Sequence, residues 1–191
     1  MSNILIINGH PNPNSYCSAL SKAYAKGVNN TANLKEIELS SLQFDPVLKW
    51  GYSQRMELEP DLKASWEKIK WADHIIIVTP IWWGGIPALL KGFFDRLLLP
   101  GMAFKYRENS PWWDKLLVGK TAHMIVTMDT PVWYYKLFYS NAGIKQVKNN
   151  ILSFCGIKTK AITYIAPIRN STEEFRKKWL SKVERLGSEL K

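Results

Sequence analysis

Two short, unbroken apolar runs constrain this chain more than anything else in it. They are Ile4-Leu-Ile-Ile7 and His74-Ile-Ile-Ile-Val78. Each is one strand long and offers no polar face, as a parallel strand covered on both sides requires. Between and after them, apolar residues recur at helical spacing. Strands alternating with helices predict a parallel sheet with right-handed crossovers.

In chain order, strands are expected at 3–8, 33–39, 74–79, 121–127 and 159–165. The second is short and half-polar, as an edge strand would be. The helix after strand 1 places Tyr16, Ala19, Leu20, Ala23, Tyr24 and Gly27 on one face, with Asn14 or Ser15 as its cap. Helix 61–71 turns Leu62, Trp66 and Ile69 inward. The next starts at Pro87, where a missing N–H costs nothing. It buries Ile86, Leu89, Leu90, Phe93, Phe94 and Leu97, pairs Lys91 with Asp95, and stops at Pro100-Gly101. Helix 140–155 turns Ile144, Val147, Ile151 and Leu152 inward and ends at Gly156. The last helix opens with a capping box, Ser171-Thr-Glu-Glu174, and buries Phe175, Trp179, Val183, Leu186 and Leu190. Segments 40–61, 102–120 and 128–135 read as loops, the first an ordered excursion. No domain boundary interrupts this, so residues 1–191 read as one domain.

Composition excludes several classes. With 46% hydrophobic and 22% charged residues the chain is ordinary globular protein. Its N-terminus reads as a strand and not a signal peptide. With two cysteines and no run long enough to span a bilayer, a cytoplasmic location is expected. The net charge of +10 is concentrated in residues 136–191, which hold 12 Lys+Arg against 4 Asp+Glu. Those charges are interspersed at helical spacing, as on solvated helix faces. No nucleic-acid motif accompanies them.

In a sheet of order 2-1-3-4-5, the carboxyl ends of strands 1, 3 and 4 are neighbours, and ligands bind in such crevices. Three loops would converge there. Gly9-His-Pro-Asn-Pro-Asn-Ser15 has small residues, amide and hydroxyl side chains and a helix N-terminus, the parts of an anion site. Neither a Gly-Lys-Ser loop nor Gly-x-Gly-x-x-Gly follows strand 1, which argues against nucleotide triphosphates and dinucleotide folds. Residues 80–85 bring two tryptophans and two glycines, flat surface with free backbone donors. Residues 127–130 add Thr127, Asp129 and Thr130. Together they describe a pocket for a planar, phosphorylated cofactor.

The sequence resembles the NAD(P)H:quinone oxidoreductases of the flavodoxin-like superfamily, in their bacterial NADPH-quinone reductase form. Gly9-His-Pro-Asn-Pro-Asn-Ser-Tyr16 resembles their phosphate loop. Pro80-Ile-Trp-Trp-Gly-Gly-Ile-Pro-Ala-Leu-Leu-Lys-Gly-Phe-Phe-Asp-Arg96 resembles their isoalloxazine loop and following helix. Phe154-Cys-Gly-Ile157 resembles their turn before strand 5. The resemblance implies an α/β, flavodoxin-like three-layer sandwich and bound flavin, FAD with FMN as the alternative. The room that 40–61 and 102–120 offer for an adenosine half favours FAD. By the same resemblance His10, Ser15, Tyr16 and Cys17 contact the phosphates and ribityl chain. Pro80, Ile81, Trp82, Trp83 and Gly84 line the ring on one side, and Thr127, Met128, Asp129 and Thr130 on the other. Phe104 and Tyr106 line the quinone or nicotinamide face from the partner of a homodimer. Tyr135 takes the place of the relatives' catalytic tyrosine, while their histidine falls near Asn141. The implied activity is two-electron hydride transfer from NAD(P)H to a quinone or related aromatic acceptor, by a ping-pong mechanism. A non-catalytic flavin carrier, or an accessory regulator of a transport protein, is the competing expectation.

Plainer roles stand beside these. His10 can cap its loop, Trp82 and Trp83 can pack as core aromatics, and Asp129 and Thr130 can form a turn. Tyr135 has ordinary packing as its alternative. His74 and His123 read as structural histidines, and Cys17 and Cys155 as small buried apolar residues. No metal-ligand cluster is visible.

Overall fold

The structure, a computed structural model, describes residues 1–28 and 32–189. In chain order come β1 (Asn3–Asn8), α1 (Tyr16–Val28), β2 (Asn33–Glu38), α2 (Pro60–Trp71), β3 (His74–Pro80) and α3 (Ala88–Leu97). A small hairpin follows, β4 (Phe104–Tyr106) and β5 (Trp113–Lys115), then β6 (Thr121–Thr127) and α4 (Val132–Leu137). Next, α5 (Ala142–Lys145) runs through a π-helical stretch, Gln146–Leu152, into α6 (Ser153–Cys155). The chain ends with β7 (Lys158–Ile165) and α7 (Glu173–Ser188).

The five long strands form one parallel sheet in the order β2-β1-β3-β6-β7, with β4 and β5 paired separately. The unbroken apolar runs are explained by what lies on each side. Ile4, Ile6, Ile76, Val78 and Ile125 face Leu20 and Tyr24 of α1 and Val183 of α7. Leu5, Ile7, Ile75, Ile77, Met124 and Val126 face Leu62, Phe93 and Leu97 of α2 and α3, together with Ile144, Val147 and Leu152 of the α5–α6 segment on the same side. Alternate side chains leave a strand on opposite sides, so both sets must be apolar. Each fully buried aliphatic side chain contributes about 1.5–3 kcal/mol.

Where the structure departs from expectation, a long-range contact is the cause. Segment 102–120 is not a loop: Trp113 stacks on Phe154 with ring centroids 4.2 Å apart and donates its indole N–H to the Phe154 carbonyl at 2.9 Å. Segment 128–135 enters α4 at Val132, so Tyr135 is helical. The helix expected from residue 140 begins at Ala142, because Ser140 and Asn141 take left-handed φ of 51° and 56°. Gly156, at φ 102°, closes it as expected. In the last helix the cap moves on by one. Thr172 accepts from the Phe175 amide at 3.1 Å, while Ser171 accepts from Arg176 Nε. Val183 is buried and Phe175, Trp179 and Leu186 are half-buried; Leu190 lies outside the described residues. α1 also buries Cys17, Ser18 and Ser21, since it is sandwiched between the sheet and α7. Among the described residues, no helix is long and apolar enough to cross a membrane.

The excursion between β2 and α2 is held by a buried cation. Arg96 of α3 is fully buried; it donates to the carbonyls of Asp45 and Glu57 and pairs with Glu59 at 2.8 Å. Gly92, one turn earlier, admits Pro46, whose carbonyl would lie 2.6 Å from a Cβ there. Arg96→Ala strands the Glu59 carboxylate and two carbonyls. It is expected to cost about 3 kcal/mol in urea unfolding; a loss under about 1 kcal/mol would contradict this.

His74 bonds Thr121 Oγ1 through Nδ1 at 2.6 Å. Burial, followed by the charges of His123 and Lys160, lowers it from 6.5 to about 4. Between those values the unfolded chain binds a proton that the fold refuses. Stability from this site is therefore complete above the unfolded value and lost as pH falls towards the folded one. His74→Asn should flatten the pH dependence of stability across that interval, and an unaltered slope would remove the assignment.

Candidate functional site

The carboxyl ends of β1, β3 and β6 stay registered past the last strand residues. Gly9 donates its amide to Val78 at 2.8 Å, Ile81 to Thr127 at 2.8 Å, and Met128 to Ile165 at 3.2 Å. Three loops therefore leave the sheet at one place. They enclose a cleft of about 360 Å³, lined by His10, Ser15, Tyr16, Cys17, Pro80, Ile81, Trp82, Thr127, Met128 and Asp129. Asn12, Ile168 and Arg169 complete it.

The first loop is built from side chains that bond backbone two residues on. Asn8 Oδ1 accepts from the His10 amide at 3.1 Å, His10 Nδ1 from Asn12 at 3.0 Å, and Asn12 Oδ1 from Asn14 at 2.9 Å. Ser15 caps α1, its hydroxyl accepting from the Ser18 amide at 3.2 Å. The loop's backbone donors are thus consumed, while the amides of Tyr16 and Cys17 open the helix, where N–H groups have no partner within it. His10 caps its loop and lines the cleft at once. Because Nδ1 accepts, its proton sits on Nε2, and burial lowers its pKa, which keeps the ring neutral. Its ring meets that of Trp82 edge-on at 5.3 Å.

The second loop is a two-residue hairpin turn. Trp82 and Gly85 exchange both backbone bonds at 2.9 Å, and Trp83 and Gly84 between them take φ of 51° and 79°. Two successive positive φ values mark a type I′ turn. Neither tryptophan is a core residue: Trp82 is half-exposed against His10, and Trp83 projects entirely into solvent. Trp83 and Gly84 stand outside the cleft lining. The Gly84 carbonyl faces the opposite way, accepting from the Tyr135 hydroxyl and from the Gly143 amide, each at 3.0 Å. The same Gly143 amide reaches the Tyr135 oxygen at 3.0 Å. Tyr135 itself is fully buried.

On the third loop, the Asp129 carboxylate accepts from the Arg169 amide at 2.7 Å and pairs with its Nε at 3.3 Å. Thr130, next along, is not part of the lining. Cys17 lies 3.3 Å from Thr127 Oγ1 and joins α1 to the end of β6. Phe104 and Tyr106 lie elsewhere. They line a second cleft of about 310 Å³ with Tyr52, Gln146, Asn150 and Phe154. Segments 40–61 and 102–120 contribute to that second cleft and nothing to the first. The extra room expected from them is therefore not at the His10 cleft: Arg96 ties segment 40–61 to α3, and the Trp113–Phe154 stack ties segment 102–120 to α6. Arg169 and Ile168 were not legible as site residues. Their one signal is a position just after a strand's carboxyl end. Among the described residues, no group of three or more His, Cys, Asp or Glu is placed to hold a metal ion.

Residues 2–186 match a family described as flavodoxin-like fold, Flavodoxin_2, and the chain belongs to that family. Among its relatives, a Haemophilus influenzae protein called an uncharacterized NAD(P)H oxidoreductase is 29% identical over 181 residues, covering 92% of this chain and 89% of its own. The ribosyldihydronicotinamide dehydrogenase [quinone] of Homo sapiens is 28% identical over 202 residues, covering 91% and 85%. The crystal structure of Smu.1420 from Streptococcus mutans UA159 superposes with a TM-score of 0.83 at 30% identity, over 98% of this chain and 99% of that one. The resemblance read from the three motifs is thus borne out.

Both cysteines are buried, Cys17 pushed up to about 12 and Cys155 to about 11 by loss of solvent. A thiol reacts as thiolate, so native protein should give no fast reaction with a disulfide reagent, and two thiols after denaturation. A fast native thiol would show that one of these positions opens.

Proposed function

We propose that this chain is a flavin-dependent oxidoreductase that moves two electrons from NAD(P)H to a quinone or related aromatic acceptor. One observation carries the reading. A single cleft at the carboxyl ends of β1, β3 and β6 is lined by anion donors, in the α1 amides, and by an apolar aromatic wall, in Ile81 and Trp82. Those donors suit a phosphate chain and that wall a flat heterocycle, so the residues fit a flavin nucleotide. The names of the relatives support the same chemistry.

A bound flavin would supply hydride acceptance and donation; the chain's part is to hold and shape. The amides of Tyr16 and Cys17, the Ser15 hydroxyl and His10 Nε2–H would hold the phosphates and ribityl oxygens. Pro80, Ile81 and Trp82 would wall one side of the ring, and Thr127, Met128 and Asp129 the other. Asp129 is fixed for this by Arg169. Reductant and acceptor would occupy one place in turn, which is a ping-pong scheme. Phe104 and Tyr106 would serve the acceptor side of a second copy, since their cleft shares no lining residue with the first. Trp83, Trp133, Leu137 and Phe138 are exposed on the outer surface, and a homodimer would cover such apolar area. We read residues 1–191 as one such flavin-binding domain.

Purified protein should be yellow, release FAD or FMN on denaturation, and oxidise NADPH with menadione. Protein that stays colourless and takes up neither nucleotide would overturn the reading. Bound flavin without turnover would assign the chain to electron carriage or regulation instead.

A further inference from the structure

A tryptophan at the first centre of a type I′ turn is a poor choice. Left-handed backbone costs a bulky residue about 1 kcal/mol or more, and Asn-Gly is the pair that such turns prefer. Trp83 makes up none of that cost by burial, because its side chain lies wholly in solvent. Something outside the turn must hold it, and the contacts at Gly84 identify what does. The Gly84 carbonyl receives the Tyr135 O–H and the Gly143 N–H, each at 3.0 Å. Gly143 can approach because it has no side chain; a Cβ there would stand 2.6 Å from that carbonyl. Tyr135 is anchored in turn. Its own carbonyl accepts from the Asn141 amide at 3.1 Å, and the Asn141 side chain bonds the Tyr164 hydroxyl of β7 at 3.0 Å.

We propose that Tyr135 is a positioning residue: with Gly143 it clamps the Gly84 carbonyl and holds the strained Trp82–Gly85 turn in the shape that walls the cleft. Its hydroxyl has one proton to donate, and that proton goes to Gly84; its acceptor side meets Gly143. The chain Tyr164–Asn141–Tyr135–Gly84 therefore ties the loop after β3 to the strand β7. The consequence for ligand binding rests on the flavin reading above; the clamp itself does not.

The test is Tyr135→Phe, which keeps the ring and removes the clamp. In protein stripped of nucleotide, hydrogen exchange at the Gly85 amide should quicken about five-fold, the factor that goes with one net hydrogen bond. FMN and FAD, titrated separately, should bind the variant about five-fold more weakly, with the pH profile of kcat unaltered. Trp83→Asn added to Tyr135→Phe should restore slow exchange, because Asn-Gly forms the turn unaided. Equal exchange in wild type and Tyr135→Phe would overturn the clamp. So would loss of one limb of the pH profile at undiminished flavin affinity, the mark of a proton donor. Wild-type protein that binds neither nucleotide would sink the flavin reading and leave the exchange result to decide the clamp.

Discussion

A parallel strand covered on both faces has no room for chemistry along its length. Every side chain of β1 and β3 from Ile4 to Ile7 and from Ile75 to Val78 is buried, on one side under α1 and α7 and on the other under α2 and α3. Polar groups and ligand contacts must wait until the strands end. That single constraint gathers the cleft at the carboxyl ends of β1, β3 and β6, where the last ladder bonds still hold the departing loops together. It also sends the two histidines that do lie in strands, His74 and His123, into hydrogen bonds with neighbouring threonines.

The cleft combines two kinds of wall, made at different cost. The loop after β1 satisfies its own amides through Asn8, His10 and Asn12, and so leaves the helix N-terminus as the place where a negative group gains most. The aromatic wall is costlier. It depends on a turn whose φ values suit glycine better than tryptophan, and on a buried phenol that reaches across from α4. Strain at a site wall, held by contacts from another element, is how such positions persist in folded proteins.

Much of this was legible in advance. Unbroken apolar runs and helical spacing placed the five long strands, and ten of the thirteen residues expected to contact a cofactor line the one cleft. Thr130 escaped because the chain turns away to begin α4, and Trp83 and Gly84 because the tight turn points one outward and the other towards Tyr135. The hairpin at Phe104 was illegible because its stabilising partner, Phe154, lies some fifty residues on. Arg169 was illegible because nothing local distinguishes it from other surface arginines.

By itself the sequence determined the layered sheet, its buried faces and the convergence of three loops, because hydrophobic periodicity is a local consequence of what each strand and helix must bury. Only the tertiary structure decided which way side chains at the loops point. It turned the Tyr135 hydroxyl to a backbone carbonyl, paired Asp129 with Arg169, and put Phe104 and Tyr106 in a cleft of their own. Those choices rest on hydrogen bonds and close approaches between residues distant in the chain, which no local pattern encodes.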